Sequence, residues 1–185
     1  NNIGENNNLY SAVKACSDFC IELGINVPTG KDSMSMKQKY KTGEVLSPGT
    51  VIISATAEVS DVSKCVEPFF KKFNSNIYYI DMSSCVLNLG GSALMQSNNK
   101  IGNKSNDILN AKYFKKVFNV IQKLITYEKI YSGHDVSSGG LITTILEMSF
   151  VSSEIGLELF LNEFDENDLI KILFAENHAL AVSYT

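Results

Sequence analysis

The chain has no arginine and no tryptophan, and only three prolines and two histidines in 185 residues. All sixteen basic residues are lysines. Without the bidentate guanidinium fork, any bound phosphate must be held by Lys, backbone N–H groups, hydroxyls or a metal. No apolar run approaches the ~20 residues of a membrane span, and the Asn-rich start NNIGENNN is no signal peptide. A net charge of −4 argues against an electrostatic grip on nucleic acid or on an anionic membrane. The four cysteines form no C-x-x-C pair and no Cys/His cluster. Zinc is therefore not expected, and the thiols read as small apolar residues of a reduced, intracellular protein. What is present, 44% hydrophobic and 19% charged residues at a mean hydropathy of zero, describes a soluble globular chain. Its length suits one domain, or one domain and part of another.

Leu9, Ala12, Val13, Cys16, Phe19, Cys20 and Leu23 recur at three- and four-residue steps and predict an amphipathic helix, with Asn8 as its cap and Gly24 as its end. A polar linker follows, ending in the turn Ser-Pro-Gly. Residues 50–59 (TVIISATAEV) and 76–81 (NIYYID) read as strands, the first of them buried. The segment NNKIGNKSND reads as a loop with nothing to pack. A second long helix runs through Phe114, Val117, Ile121 and Leu124 behind the cap Asn110. Residues 130–134, 156–160 and 179–184 are strand-like, and helices are expected over 140–150 and 168–174. Interspersed strands and helices with some hairpin-length links predict an α+β class, a mixed-sheet α/β sandwich. The core is expected from residues 51–53, 77–80, 114–125 and 141–148.

Two stretches carry candidate chemistry. VPTGKDSMSM (residues 27–36) holds an ammonium, a carboxylate and hydroxyls close together. It is not a P-loop, because Ile25 stands where the leading glycine belongs and Asp32 where Ser or Thr must reach Mg²⁺. HDVSSGG (residues 134–140) places a carboxylate at a strand's end, a hydroxyl two residues on, and a glycine pair opening a helix. That pattern suits Asp135 as a Mg²⁺ ligand, Ser137 as a phosphate or ribose contact, and Gly139 and Gly140 as a close-approach backbone cradle. It equally suits an ordinary Asx or Ser turn. LGGSA (residues 89–93) is a second anion-binding turn or a tight bend, and His134 reads as a hydrogen-bonded structural residue.

Five motifs occur in order: GKDSMSM, SPGTVIISATAEVSDV, LGGSALMQ, GHDVSSGGL and LEMSF. Together with the preceding helix they resemble the second half of the synthetase region of the large, single-chain phosphoribosylformylglycinamidine synthases, in the aminoimidazole ribonucleotide synthetase-like superfamily. The resemblance implies an ATP-dependent carbon–nitrogen ligase of purine biosynthesis, with ATP and Mg²⁺ as cofactors and glutamine-derived ammonia as nitrogen donor. Its substrate would be formylglycinamide ribonucleotide. An amide is a poor electrophile; phosphorylating its oxygen gives an iminophosphate from which ammonia displaces phosphate, while Mg²⁺ neutralises the moving charge. The resemblance makes Asp135 the metal ligand and Ser137 a nucleotide contact. It places Gly30, Lys31, Asp32 and Ser33 on a loop facing phosphates and substrate, with Lys31 and Asp32 as the catalytic candidates.

The division it implies is a subdomain tail over 1–36, a linker over 37–49 and an incomplete C-terminal ATP-binding-type domain over 50–185. The partners would be the remaining synthetase and glutaminase domains, with a cytoplasmic location and no nucleic acid or membrane. The piece alone is expected to be inactive. GKDSMSM argues against selenophosphate synthetase and thiamine-phosphate kinase, other members of the superfamily. Val136 and Ser138 replace the Arg and Asp of the usual H-D-R-S-D-G-G, and Glu176 is kept from a more usual F-N-E-E-L-G-A-V. Those losses leave open a non-catalytic structural nucleotide-binding half or a degenerate interaction module.

Overall fold

The computed structural model describes residues 4–31, 36–71 and 75–184. They fall into two compact units, Asn1–Val59 and Ser60–Thr185.

The first unit begins with α1 (Glu5–Leu23). Its N-cap is Gly4, in the left-handed conformation, and not Asn8, whose N–H already donates to the Gly4 carbonyl at 3.0 Å inside the first turn. The end falls at Gly24, where φ of 75° turns the chain and the N–H groups of Gly24 and Ile25 close on the carbonyls of the last turn. The segment 37–49, read as a linker, contains a hairpin of β1 (Lys37–Tyr40) and β2 (Gly43–Leu46). TVIISATAEV forms no strand, and Val51, Ile52 and Ile53 are exposed, not core. β-branched composition makes a segment suited to a ladder, but the strand exists only where a neighbour pairs with it.

The second unit holds the core. Strands β3 (Asn76–Asp81), β4 (Ile130–Val136) and β5 (Ala179–Tyr184) form a sheet in the order β3-β5-β4. The ladders are antiparallel, and among the described residues parallel pairing is confined to isolated bridges at Glu67–Ser132 and Gly90–Ser105. The central strand alternates between two buried faces. Ala179 and Ala181 pack with Leu141, Ile145 and Met148 of α4 (Gly140–Ser149). Leu180 and Val182 meet Phe114, Val117, Ile121 and Leu124 of α3 (Ala111–Thr126). The result is an α+β sandwich, one helix on each side of the sheet. Asn110 caps α3 as its position predicts, its side chain accepting from the Tyr113 N–H at 2.9 Å.

Two smaller α-helices, α2 (Ala93–Ser97), capped by Ser92, and α5 (Leu169–Phe174), capped by Asp168, and a 3-10 turn at Val62–Lys64 also belong to the unit. The expected strand at 156–160 is absent; those residues run irregularly. NNKIGNKSND is not an idle loop. Gly90 and Gly91 donate to the carbonyls of Lys104 and Ile101, and Asn88 and Asn106 exchange two hydrogen bonds at 2.9 and 3.0 Å. Its side chains bury little apolar area, but its backbone and amides supply partners that hydropathy does not reveal.

Candidate nucleotide site at the β4–α4 turn

Strand β4 delivers Asp135 and Val136 to a turn, Ser137 to Gly139, that opens directly into α4. Val136 is buried in the core, so Asp135 and Ser137 on either side of it face solvent. The Asp135 side chain is 70% exposed. Beside it lies a cavity of about 370 Å³ whose lining includes Asp135, Ser137, Ser138, Glu176 and His178. His134 is a bridging group: Nδ1 lies 2.8 Å from the Asp135 carbonyl oxygen, and Nε2 3.5 Å from a Glu147 carboxylate oxygen. The Asp135 carbonyl also accepts from the Thr144 hydroxyl at 3.2 Å, pinning the strand's end to α4.

The glycine pair is explained by packing. Gly139 has φ of 94° and Gly140 of 75°, both in the region that other residues enter at a cost. A Cβ on Gly140 would stand 2.7 Å from the Leu173 carbonyl oxygen and the Phe174 backbone, so α5 approaches the start of α4 as closely as its backbone permits. A Cβ on Gly139 would overlap Thr143.

Nor are the glycine N–H groups open for phosphate. Gly140 donates to the Ser137 carbonyl at 3.0 Å, and Gly139 donates to Glu176 Oε1 at 2.8 Å. The same Glu176 oxygen accepts from the Ala93 N–H, also at 2.8 Å, at the start of α2. One carboxylate therefore sits between the two glycine turns that the sequence offered as anion sites. Hydrogen bonds to a charged acceptor contribute roughly 1.5–3 kcal/mol each, and a carboxylate near a helix N-terminus gains further from the backbone dipoles. Sequence reasoning gave Glu176 no role. In the structure it stands between a buried Ala175 and a buried Asn177 just ahead of a core strand. Such a residue needs donors nearby.

Gly30 and Lys31 lie in the first unit, in the irregular chain after Gly24. Asp32 and Ser33 lie outside the described residues. Among the described residues no three His, Cys, Asp or Glu side chains gather to hold a metal. Asp135 offers one open carboxylate, which suits Mg²⁺ in its usual nucleotide-bound form, where phosphates and waters supply most ligands. No described helix is long and apolar enough to cross a membrane.

The sequence of the second unit matches a known domain class. Residues 77–182 match the family model for the AIR synthase related protein, C-terminal domain, and the chain belongs to that family. Residues 1–58 match the FGAR-AT PurM_N-like domain. The whole chain is also similar to a probable phosphoribosylformylglycinamidine synthase, chloroplastic/mitochondrial, of Arabidopsis thaliana. It is 38% identical over 183 residues, covering 97% of this chain and 13% of that relative.

Proposed function

We propose that this chain contributes an ATP-binding-type domain to an ATP-dependent carbon–nitrogen ligase of purine biosynthesis. The reaction would convert formylglycinamide ribonucleotide to the amidine with glutamine-derived ammonia. The observation that carries the reading is the similarity to a synthase along 97% of the chain, with no portion of either unit left over beyond a few residues. It favours the ligase over a non-catalytic module. The division into a preceding subdomain and a C-terminal domain is part of the proposal, as are the further synthetase and glutaminase domains as partners. A cytoplasmic setting is proposed as well. The four free cysteines suit a reducing compartment, while the Arabidopsis relative carries an organellar designation.

In this reading Asp135 would hold the nucleotide's Mg²⁺, and the ion would supply positive charge beside the phosphates. Ser137 donates its hydroxyl to a phosphate or ribose oxygen. Gly139 and Gly140 shape the turn that presents both residues. Gly30, Lys31, Asp32 and Ser33 are assigned to phosphate and substrate, with Lys31 and Asp32 as the catalytic candidates and Lys31 as a source of positive charge that no arginine provides.

Nucleotide titration of the complete protein, with and without Mg²⁺, tests the assignment. Asp135→Asn should weaken binding of the Mg²⁺ complex by more than it weakens metal-free binding. An equal fall in both makes Asp135 a structural turn residue. No change in either removes the nucleotide site from this turn.

A further inference from the structure

Glu176 and Asn177 form a knuckle at the entry to β5 that ties together segments far apart in the chain. The Asn177 side chain is 1% exposed, and its Nδ2 donates to the Ser83 hydroxyl and to the Cys85 carbonyl at 3.3 and 2.9 Å. That holds the loop after β3. Glu176 Oε1 accepts from Ala93 and Gly139, which stand 83 and 37 residues away in sequence. The Ser92 hydroxyl, itself buried, donates to the Leu89 carbonyl and accepts from the Met95 N–H, so the Ala93 end of the clamp belongs to a turn already fixed within itself. At the other end, Gly140 N–H closes on the Ser137 carbonyl, and Thr144 holds the Asp135 carbonyl.

We propose that Glu176 is a positioning residue that locks the Leu89–Ser92 turn to the Ser137–Gly140 turn, so that Asp135 and Ser137 keep their places only while both turns are clamped. The functional half of the proposal rests on Asp135 and Ser137 being the nucleotide contacts; the clamp itself does not. A neutral acceptor of the same shape should preserve the clamp, because the Gln amide oxygen can accept both N–H groups. Removing the acceptor leaves two backbone donors at helix starts without their partner, and the turns separate as independent elements.

Backbone amide hydrogen exchange and amide chemical shifts on the full chain read this directly, in wild type, Glu176→Gln and Glu176→Ala. Glu176→Ala should speed exchange at both Ala93 and Gly139 by about tenfold or more and displace the amide resonances of Asp135 and Ser137. Ala181, at the centre of the sheet, should keep its protection, which separates local release from unfolding. Glu176→Gln should stay within about threefold of wild type at both amides. Faster exchange at only one of the two amides, or unmoved resonances at Asp135 and Ser137, overturns the clamp. Should Glu176→Ala fail to fold, Glu176→Asp, one methylene too short to reach both donors, gives the same readings. In the complete protein, Glu176→Ala should weaken Mg²⁺–ATP binding while Glu176→Gln restores it. A clamp seen by exchange with unchanged Mg²⁺–ATP affinity overturns the positioning role. A wild-type protein that binds no nucleotide, with the exchange pattern intact, defeats the nucleotide reading and leaves the clamp standing.

Discussion

Ile52 in the first unit is 85% exposed, whereas Ile145 in the second is 1% exposed, although both sit in stretches whose composition reads as core. The contrast holds across the units. No described residue of the first is buried, while the second carries two clusters on opposite faces of its sheet. Both α1 and α3 carry an apolar stripe, sharper on α3, and α3 packs its stripe against the three-stranded sheet of its own unit. Periodicity marks a face that can be buried; burial needs a second surface of matching shape.

The largest effect that tests this difference is a cavity. Ile145→Ala should destabilise the second unit by roughly 2–5 kcal/mol, and Ile52→Ala should change melting by no more than about 0.5 kcal/mol. Equal losses by thermal or urea unfolding would mean that residues 50–59 have a buried partner. Next is a backbone contrast. Gly140→Ala adds a Cβ 2.7 Å from the α5 backbone at a positive φ, which should cost about 3 kcal/mol through strain and overpacking. A Cβ on Gly30 meets nothing within 4 Å, so Gly30→Ala should be near neutral. A smaller loss, about 1 kcal/mol, is expected for Asn110→Ala, which removes the cap of α3. Asn8→Ala, at a residue inside α1 and not capping it, should move α-helical circular dichroism very little.

These pairs also mark what the sequence could convey. The cap and stripe of α3, the spans of α4 and α5 and the short strands β3 and β5 were legible because each is decided within a few residues. Residues 50–59 were misread because pairing is a property of two segments, and composition describes one. The β4–α4 turn was placed correctly along the chain, but its glycines were read as a phosphate cradle. Their positive φ could be inferred from residue type; the approach of α5 to Gly140 could not. Glu176 was invisible in its role for the same reason, since its two donors are 37 and 83 residues away.

The last effect is one of pH, and it is read at Tyr79 in the second unit. Tyr79 lies on β3 against Phe164, with ring centroids 5.1 Å apart. Burial raises its phenol well above the ordinary tyrosine value, and the nearby Asp81 carboxylate raises it further. Because the folded state keeps the proton more tightly than the unfolded chain, the contribution is fully present below the unfolded value near 10. As pH rises beyond that, the unfolded chain ionises first, and stability is lost toward the folded value. Near neutral pH the group should give no slope at all. Urea midpoints for the second unit should therefore fall between about pH 10 and 11, and Tyr79→Phe should flatten that fall while the α1 helix signal shows the same pH response in both proteins. A Tyr79→Phe variant with the wild-type alkaline slope would mean that another group governs it and that the β3 face against Phe164 is wetter than its packing implies.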